Sequence, residues 1–150
     1  MATACVDAEK LDALRPEMQA FGSGFVITLM HAGVTLLLLL IGATIYSLLT
    51  PYKEIKQIRE GNSAAAVGYG GVIIGLAIPL AASMAASTDV REIVLWGGAT
   101  VVLQLFVFRL VDLVLAGLPS RMSEGEVSAA VLLVSAKLAT SLILAAAVNG

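Results

Sequence analysis

His31, Gln104, Arg109, Asp112 and Lys137 stand inside long apolar stretches of a 150-residue chain. A basic side chain at the centre of a membrane helix costs about 2.5 to 3.5 kcal/mol on translocon scales, so such groups sit against partners or line a hydrated route. Lys137 lies near the middle of its stretch with Thr140 and Ser141 on its helical face, and Gln104 falls at similar depth. Arg109 and Asp112 are three residues apart and can pair along one helix, or Arg109 can snorkel to the surface. Asp112 is the acid nearest Lys137, provided the lysine bends toward that surface. His31 lies toward the other surface, with Thr28 and Thr35 on the same side. Two kinds of chemistry are open to this set: a structural polar cluster that orients helices or an oligomer, and a path for a proton or small ion. Hydrolytic and metal chemistry find no support, because there is one histidine, one cysteine and no HExxH or paired-carboxylate pattern. Neither a cofactor nor an enzyme activity is expected.

The elements that position these residues follow from composition. The chain is 59% hydrophobic and 13% charged, with a mean hydropathy of +0.95, whereas soluble domains are roughly half apolar and about a quarter charged. A membrane span needs about 20 mostly apolar residues, and four such runs can be marked off: Phe25 to Leu49, Ser63 to Ala86, Ile93 to Ala116 and Val127 to Val148. The expected class is therefore all-α and integral to a membrane, with four transmembrane helices. Residues 1–24 form a polar amino-terminal segment without the order of a cleavable signal peptide. Within it Val6, Leu11, Leu14 and Met18 recur at near-helical spacing, as an interfacial amphipathic helix would have them; a plain solvated tail fits as well. Cys5 receives no role.

The segment "TPYKEIKQIREGN" concentrates Lys53, Lys56 and Arg59, and "GLPSRMSEGE" adds Arg121 on the same side. Basic residues in short loops are retained in the cytoplasm, which predicts that both termini are periplasmic. The same basic loop could also meet anionic lipid or an acidic protein surface. No aromatic-interleaved basic stripe suggests nucleic acid.

A shift of 64 residues lays Glu60, Gly61, Ala65, Ala66, Val67, Leu80, Ala81 and Ala82 on Glu124, Gly125, Ala129, Ala130, Val131, Leu144, Ala145 and Ala146. The spans therefore read as two tandem helical hairpins, 25–86 and 87–150. Two spans per unit is an even number, so the expected symmetry is that of parallel repeats. In the second copy Glu126 and Val127 replace Asn62 and Ser63, and Lys137 falls on Ile73. "YKEIKQIREGNSAAAVGYGGVIIGLAIPLA", with its degenerate copy downstream, resembles the YjfL-like family of small bacterial inner-membrane proteins, a domain of unknown function built from two repeats of two spans. The resemblance implies a bacterial inner-membrane location and four helices, but no reaction. It also implies a neighbourhood of phage-shock-type peripheral membrane proteins and ATP-grasp ligases, which points to peripheral partners and envelope stress.

In the second span Asn62 is a candidate helix cap, and Gly68, Gly71 and Gly75 share a broad face on which Gly71 to Gly75 is a literal GxxxG. Small residues permit close helix approach where no hydrophobic force acts between helices. Pro79 should kink the span. This face is either a packing surface, inside the monomer or an oligomer, or, with Gly70, a flexible or pore-lining segment. Together these features predict a self-associating membrane subunit or docking platform for a peripheral cytoplasmic partner, with a small channel or transporter component as the alternative.

Overall fold

The computed structural model describes the backbone of residues 2–150, with side chains at residue 16 and from 18 onward. Cys5, Lys10, Arg15 and the amphipathic positions Val6, Leu11 and Leu14 lie outside the described side chains. Among the described residues the fold is helical without strands, ordered α1 (Ala2–Leu49), α2 (Glu54–Arg59), α3 (Ser63–Ala86), α4 (Val90–Val114), α5 (Leu118–Ser123) and α6 (Val127–Asn149). Four segments are long and apolar enough to cross a membrane: Met18–Leu49, Ser63–Ala86, Val90–Val114 and Val127–Asn149. The chain divides into two compact units, Met1–Gly33 and Val34–Gly150. The first is helical, with Ser23 and Thr28 hydroxyls donating back to carbonyls one turn earlier. Everything below concerns the second unit unless stated.

The two basic connections are helical rather than open loops. In each, a residue in the left-handed region starts a six-residue helix: Lys53 at φ 46° before α2 and Gly117 at φ 94° before α5. A second left-handed glycine follows each one, Gly61 at 92° and Gly125 at 94°, and then a long helix begins at Ser63 or Val127. Every one of these landmarks recurs at an offset of 64 residues.

The caps that follow differ. Asn62 Oδ1 accepts from Ala65 N at 3.1 Å, while its Nδ2 donates to the carbonyls of Ser123 at 3.0 Å and Met122 at 3.4 Å. Asn62 thus closes the first turn of α3 and ties it to the end of α5. Glu126 makes no cap; it accepts from Arg121 Nε at 2.7 Å and Nη2 at 2.5 Å, and from Ser128 Oγ. Those Arg121 bonds hold its exposed carboxyl below the usual carboxylate range. Replacing an asparagine cap costs about 1 kcal/mol, and Asn62→Ala also takes its donor from the Ser123 carbonyl, while Met122 keeps the Gly125 amide. Chemical unfolding in detergent should read a loss of about 1 to 2 kcal/mol for Asn62→Ala, and a clearly smaller loss for Glu126→Ala at its solvent-facing site.

The centre of the bundle is the packing of α3 on α6 and α4. A Cβ at Gly71 would lie 2.5 Å from both methyls of Val134, one at Gly75 would lie 2.7 Å from Phe108 Cζ and 2.9 Å from Ser141 Oγ, and one at Gly68 would strike Met122 Sδ. These glycines are occupied as a packing face. Gly70 has open space around it and does not belong to that face. α3 continues through the buried Pro79 as one helix. Around these contacts Ala43, Tyr46, Val72, Leu76, Leu80, Val101, Leu105 and Phe108 form one apolar cluster, and Ala64, Met122, Ala130 and Leu133 a second.

Candidate functional site: a buried lysine between two carboxylates

Lys137 sits eleven positions into α6, counting Val127 as the first, yet only 1% of the residue is exposed. Its side chain turns back toward the end of the bundle that carries α2 and α5. There Nζ lies 2.8 Å from Asp112 Oδ1 on α4 and donates to Tyr46 OH on α1 at 2.9 Å. The hydroxyl of Tyr46 in turn donates to Glu54 Oε1 on α2 at a longer 3.3 Å. Two aromatic faces complete the enclosure, with the ammonium 4.8 Å from the Tyr46 centroid and 5.5 Å from that of Phe108. The two rings meet edge to face at 6.2 Å.

Each element contributes for a local reason. Asp112, Phe108 and Gln104 recur every four residues and so share the inward stripe of α4. On α2, Glu54, Gln57 and Ile58 share one side and are wholly or partly buried, while Lys53, Lys56 and Arg59 are exposed on the other. On α6, Ser141 lies one turn beyond Lys137; its Oγ donates to the Lys137 carbonyl at 2.7 Å and accepts from Gln104 Nε2 at 2.7 Å. Thr140 Oγ1 donates to the same carbonyl at 2.8 Å. Gln104 is fully buried, and its Oε1 has no hydrogen-bond partner.

The structure thus brings Gln104, Asp112 and Lys137 together and leaves Arg109 outside. Arg109 does not pair with Asp112 along α4: the carboxylate is turned inward onto Lys137, while the guanidinium is exposed. His31 falls in the amino-terminal unit, where it is partly buried. Tyr46 and Glu54 were not among the residues singled out from the sequence, because the first reads as one more apolar-run aromatic and the second as part of a solvated basic loop. The spacing of Glu54, Gln57 and Ile58 was the available signal for a helix face turned inward.

A cavity of about 580 Å³ opens beside this network, with Tyr46, Glu54, Arg109 and Asp112 among its walls. Glu54 is 3% exposed and its Oε2 is unpartnered. Burial raises its carboxyl above the ordinary range, and the Lys137 charge and the Tyr46 hydroxyl offset part of that rise. A carboxyl whose proton affinity is raised in the fold favours the folded state most below its unfolded range, and that contribution is lost as pH rises through the folded value. The unfolding midpoint in detergent should therefore fall as pH climbs from about 4.3, the ordinary glutamate value, and Glu54→Gln should flatten the slope.

Four long apolar helices enclosing a network of ionisable side chains define an all-helical integral membrane protein. The chain belongs to the family described as Domain of Unknown Function (DUF350), whose model matches residues 20–148. It is 31% identical over 102 residues to the UPF0719 inner membrane protein YjfL of Escherichia coli (strain K12), covering 68% of this chain and 77% of the relative. To the UPF0719 transmembrane protein YshE of Bacillus subtilis (strain 168) it is 31% identical over 67 residues, covering 45% of this chain and 50% of the relative. No solved structure matches it.

Proposed function

We propose that this chain is an ion-handling component of a bacterial inner membrane, a small channel or transporter subunit whose ion-binding step occurs at Lys137. The observation that carries this reading is the buried ammonium held between Asp112 and Tyr46 beside a cavity that Glu54 also lines. Attraction between unit charges 2.8 Å apart is roughly 6 kcal/mol at an effective dielectric of about 20. Desolvation costs several kcal/mol for each ion, so the pair contributes little net stability and its retention is better explained by a role in moving charge.

The basic end with α2 and α5 is assigned to the cytoplasm, both termini to the periplasm, and the two hairpins to parallel repeats. The 64-residue recurrence of the helical landmarks supports that last assignment. No catalytic role is proposed.

The test is flux from proteoliposomes loaded with pH-sensitive and cation-sensitive dyes. The wild type should dissipate an imposed gradient of one of these ions, and the double variant Lys137→Met/Asp112→Leu, which removes both charges together, should fold and not do so. Equal flux from the two proteins, or none from the wild type, would overturn the reading. A second reading, a docking platform for a peripheral partner, draws on the exposed face formed by Lys53, Lys56 and Arg59 on α2. It predicts recovery of one cytoplasmic protein in mild detergent that is lost when all three are changed to glutamine.

A further inference from the structure

Beyond its present partners, a second buried acceptor lies about one helical turn from Lys137 along the bundle. Ser141 marks the level of Gln104 through their 2.7 Å bond. One turn separates Ser141 from Lys137, so the lysine Cα lies about 6 Å from that level at 1.5 Å per residue. Asp112 lies two turns from Gln104 on α4, about 12 Å along the helix. The root of the lysine is therefore about midway between Asp112 and Gln104. Its arm now points to Asp112, and on the opposite side waits Gln104 Oε1, fully buried and without a hydrogen-bond partner. A buried acceptor left unsatisfied costs about 1 to 3 kcal/mol, and this one lies within one turn of the level of a long cationic side chain.

We propose, resting on the ion-handling reading above, that the ion is the proton and that Lys137 is its carrier, an arm that alternates between Asp112 with Tyr46 and Gln104 Oε1. The step balances with water on the two sides as the only other reactant. Hydronium from the cavity gives a proton to the Asp112 carboxylate, leaving water and a neutral carboxyl. The ammonium, released from its counter-charge, swings to Gln104 and, once the Leu76, Leu80 and Val101 packing beyond it parts to admit water from the far cavity, gives one proton to that water. The neutral amine returns and takes the proton from Asp112, which restores the ion pair. One proton has entered and one has left, and no electron has moved.

The surroundings fit a proton better than a metal ion. A sodium or potassium ion would need the position between Asp112 and Tyr46 that the ammonium already fills. The charged and titratable groups turned toward this position are Asp112 on α4, Tyr46 on α1 and Glu54 on α2, with Arg109 on the same cavity wall. Past Gln104, buried Thr100 and Ser83 lie toward a second cavity of about 560 Å³ at the opposite end, which Ser83 and Glu92 help to line. Ser83 Oγ is likewise unpartnered. Leu76, Leu80 and Val101 are packed in the intervening core, so this conformation is closed between Gln104 and Ser83.

Two variants separate this mechanism from its alternatives. Lys137→Arg keeps a cation for Asp112 but cannot release a proton, since guanidinium stays charged at any accessible pH. Gln104→Leu keeps the ion pair and removes the second acceptor together with the Nε2 bond to Ser141 Oγ, a loss that destabilises the fold but leaves Lys137 and Asp112 in place. In proteoliposomes under an imposed membrane potential, the wild type should acidify or alkalinise its lumen without moving sodium or potassium. Both variants should purify as folded protein with proton movement reduced to that of empty vesicles. Wild-type sodium or potassium flux without proton flux would overturn the carrier mechanism and leave ion handling standing. Proton flux unchanged in either variant would overturn the carrier as well. Absence of any flux in the wild type would overturn both.

Discussion

Lys137→Met should be among the most damaging single substitutions in this chain, with a loss of about 3 to 5 kcal/mol in unfolding free energy, the range for removing one partner of a buried pair. Methionine fills the volume of the lysine stem, so little of the loss comes from a cavity. It comes from Asp112, whose Oδ1 has the lysine as its ionic partner at 2.8 Å and no hydrogen bond of its own, and whose side chain is 11% exposed. The two neutralising changes together should behave differently. In Lys137→Met/Asp112→Leu no charge is stranded, and buried pairs replaced by apolar residues of similar volume are often as stable as the original or more so. Denaturant titration in detergent of the wild type, both single variants and the double completes the cycle, and a coupling energy near zero would contradict the ion pair. A double variant that folds well and moves no ion would separate the architectural from the functional use of these residues.

The second large effect is steric. Gly71→Ala places a methyl 2.5 Å from both Cγ atoms of Val134, and a β-branched valine in a helix has little rotamer freedom with which to withdraw. The clash can be relieved only by separating α3 from α6, so the expected cost is about 1 to 3 kcal/mol, the range for overpacked cores. Val134→Ala should restore most of it in the double variant, because the lost valine methyls are the atoms struck. Gly70→Ala, one residue away with open space around it, should be close to neutral. If Gly70→Ala and Gly71→Ala unfold alike, the α3 to α6 packing described above is wrong.

The apolar helices were legible from the sequence because four long apolar runs, broken by only a few polar residues, leave no other assignment. The run from Ser63 to Ala86 coincides with α3 at both ends, where Asn62 and the Ser-Thr-Asp stretch punctuate it. The short helices α2 and α5 were not legible, since six residues with two or three apolar positions carry too little periodicity to stand out from a loop. For the site, depth was readable but direction was not. Counting residues set Gln104 at a depth similar to that of Lys137, one turn from its actual partner Ser141, whereas the choice of Asp112 between Arg109 and Lys137 depended on which way α4 faces. Glu54 joins Tyr46 of α1 because α2 turns back under the bundle, a tertiary event at which only the spacing of Glu54, Gln57 and Ile58 hints.

The bonds from Asn62 to Met122 and Ser123 span 60 and 61 residues of chain, and that separation has a meaning in time. A ribosome adds about 5 to 20 residues per second, so α3 emerges roughly 3 to 12 seconds before the carbonyls that secure its first turn. Over the same interval Gly71 and Gly75 have no Val134 or Ser141 against which to close. The nascent α3 therefore waits with its close-packing glycine face unmatched, and a neighbouring nascent chain displays the same face. Newly made copies are most vulnerable to pairing with each other at this moment, before the second half of the molecule exists.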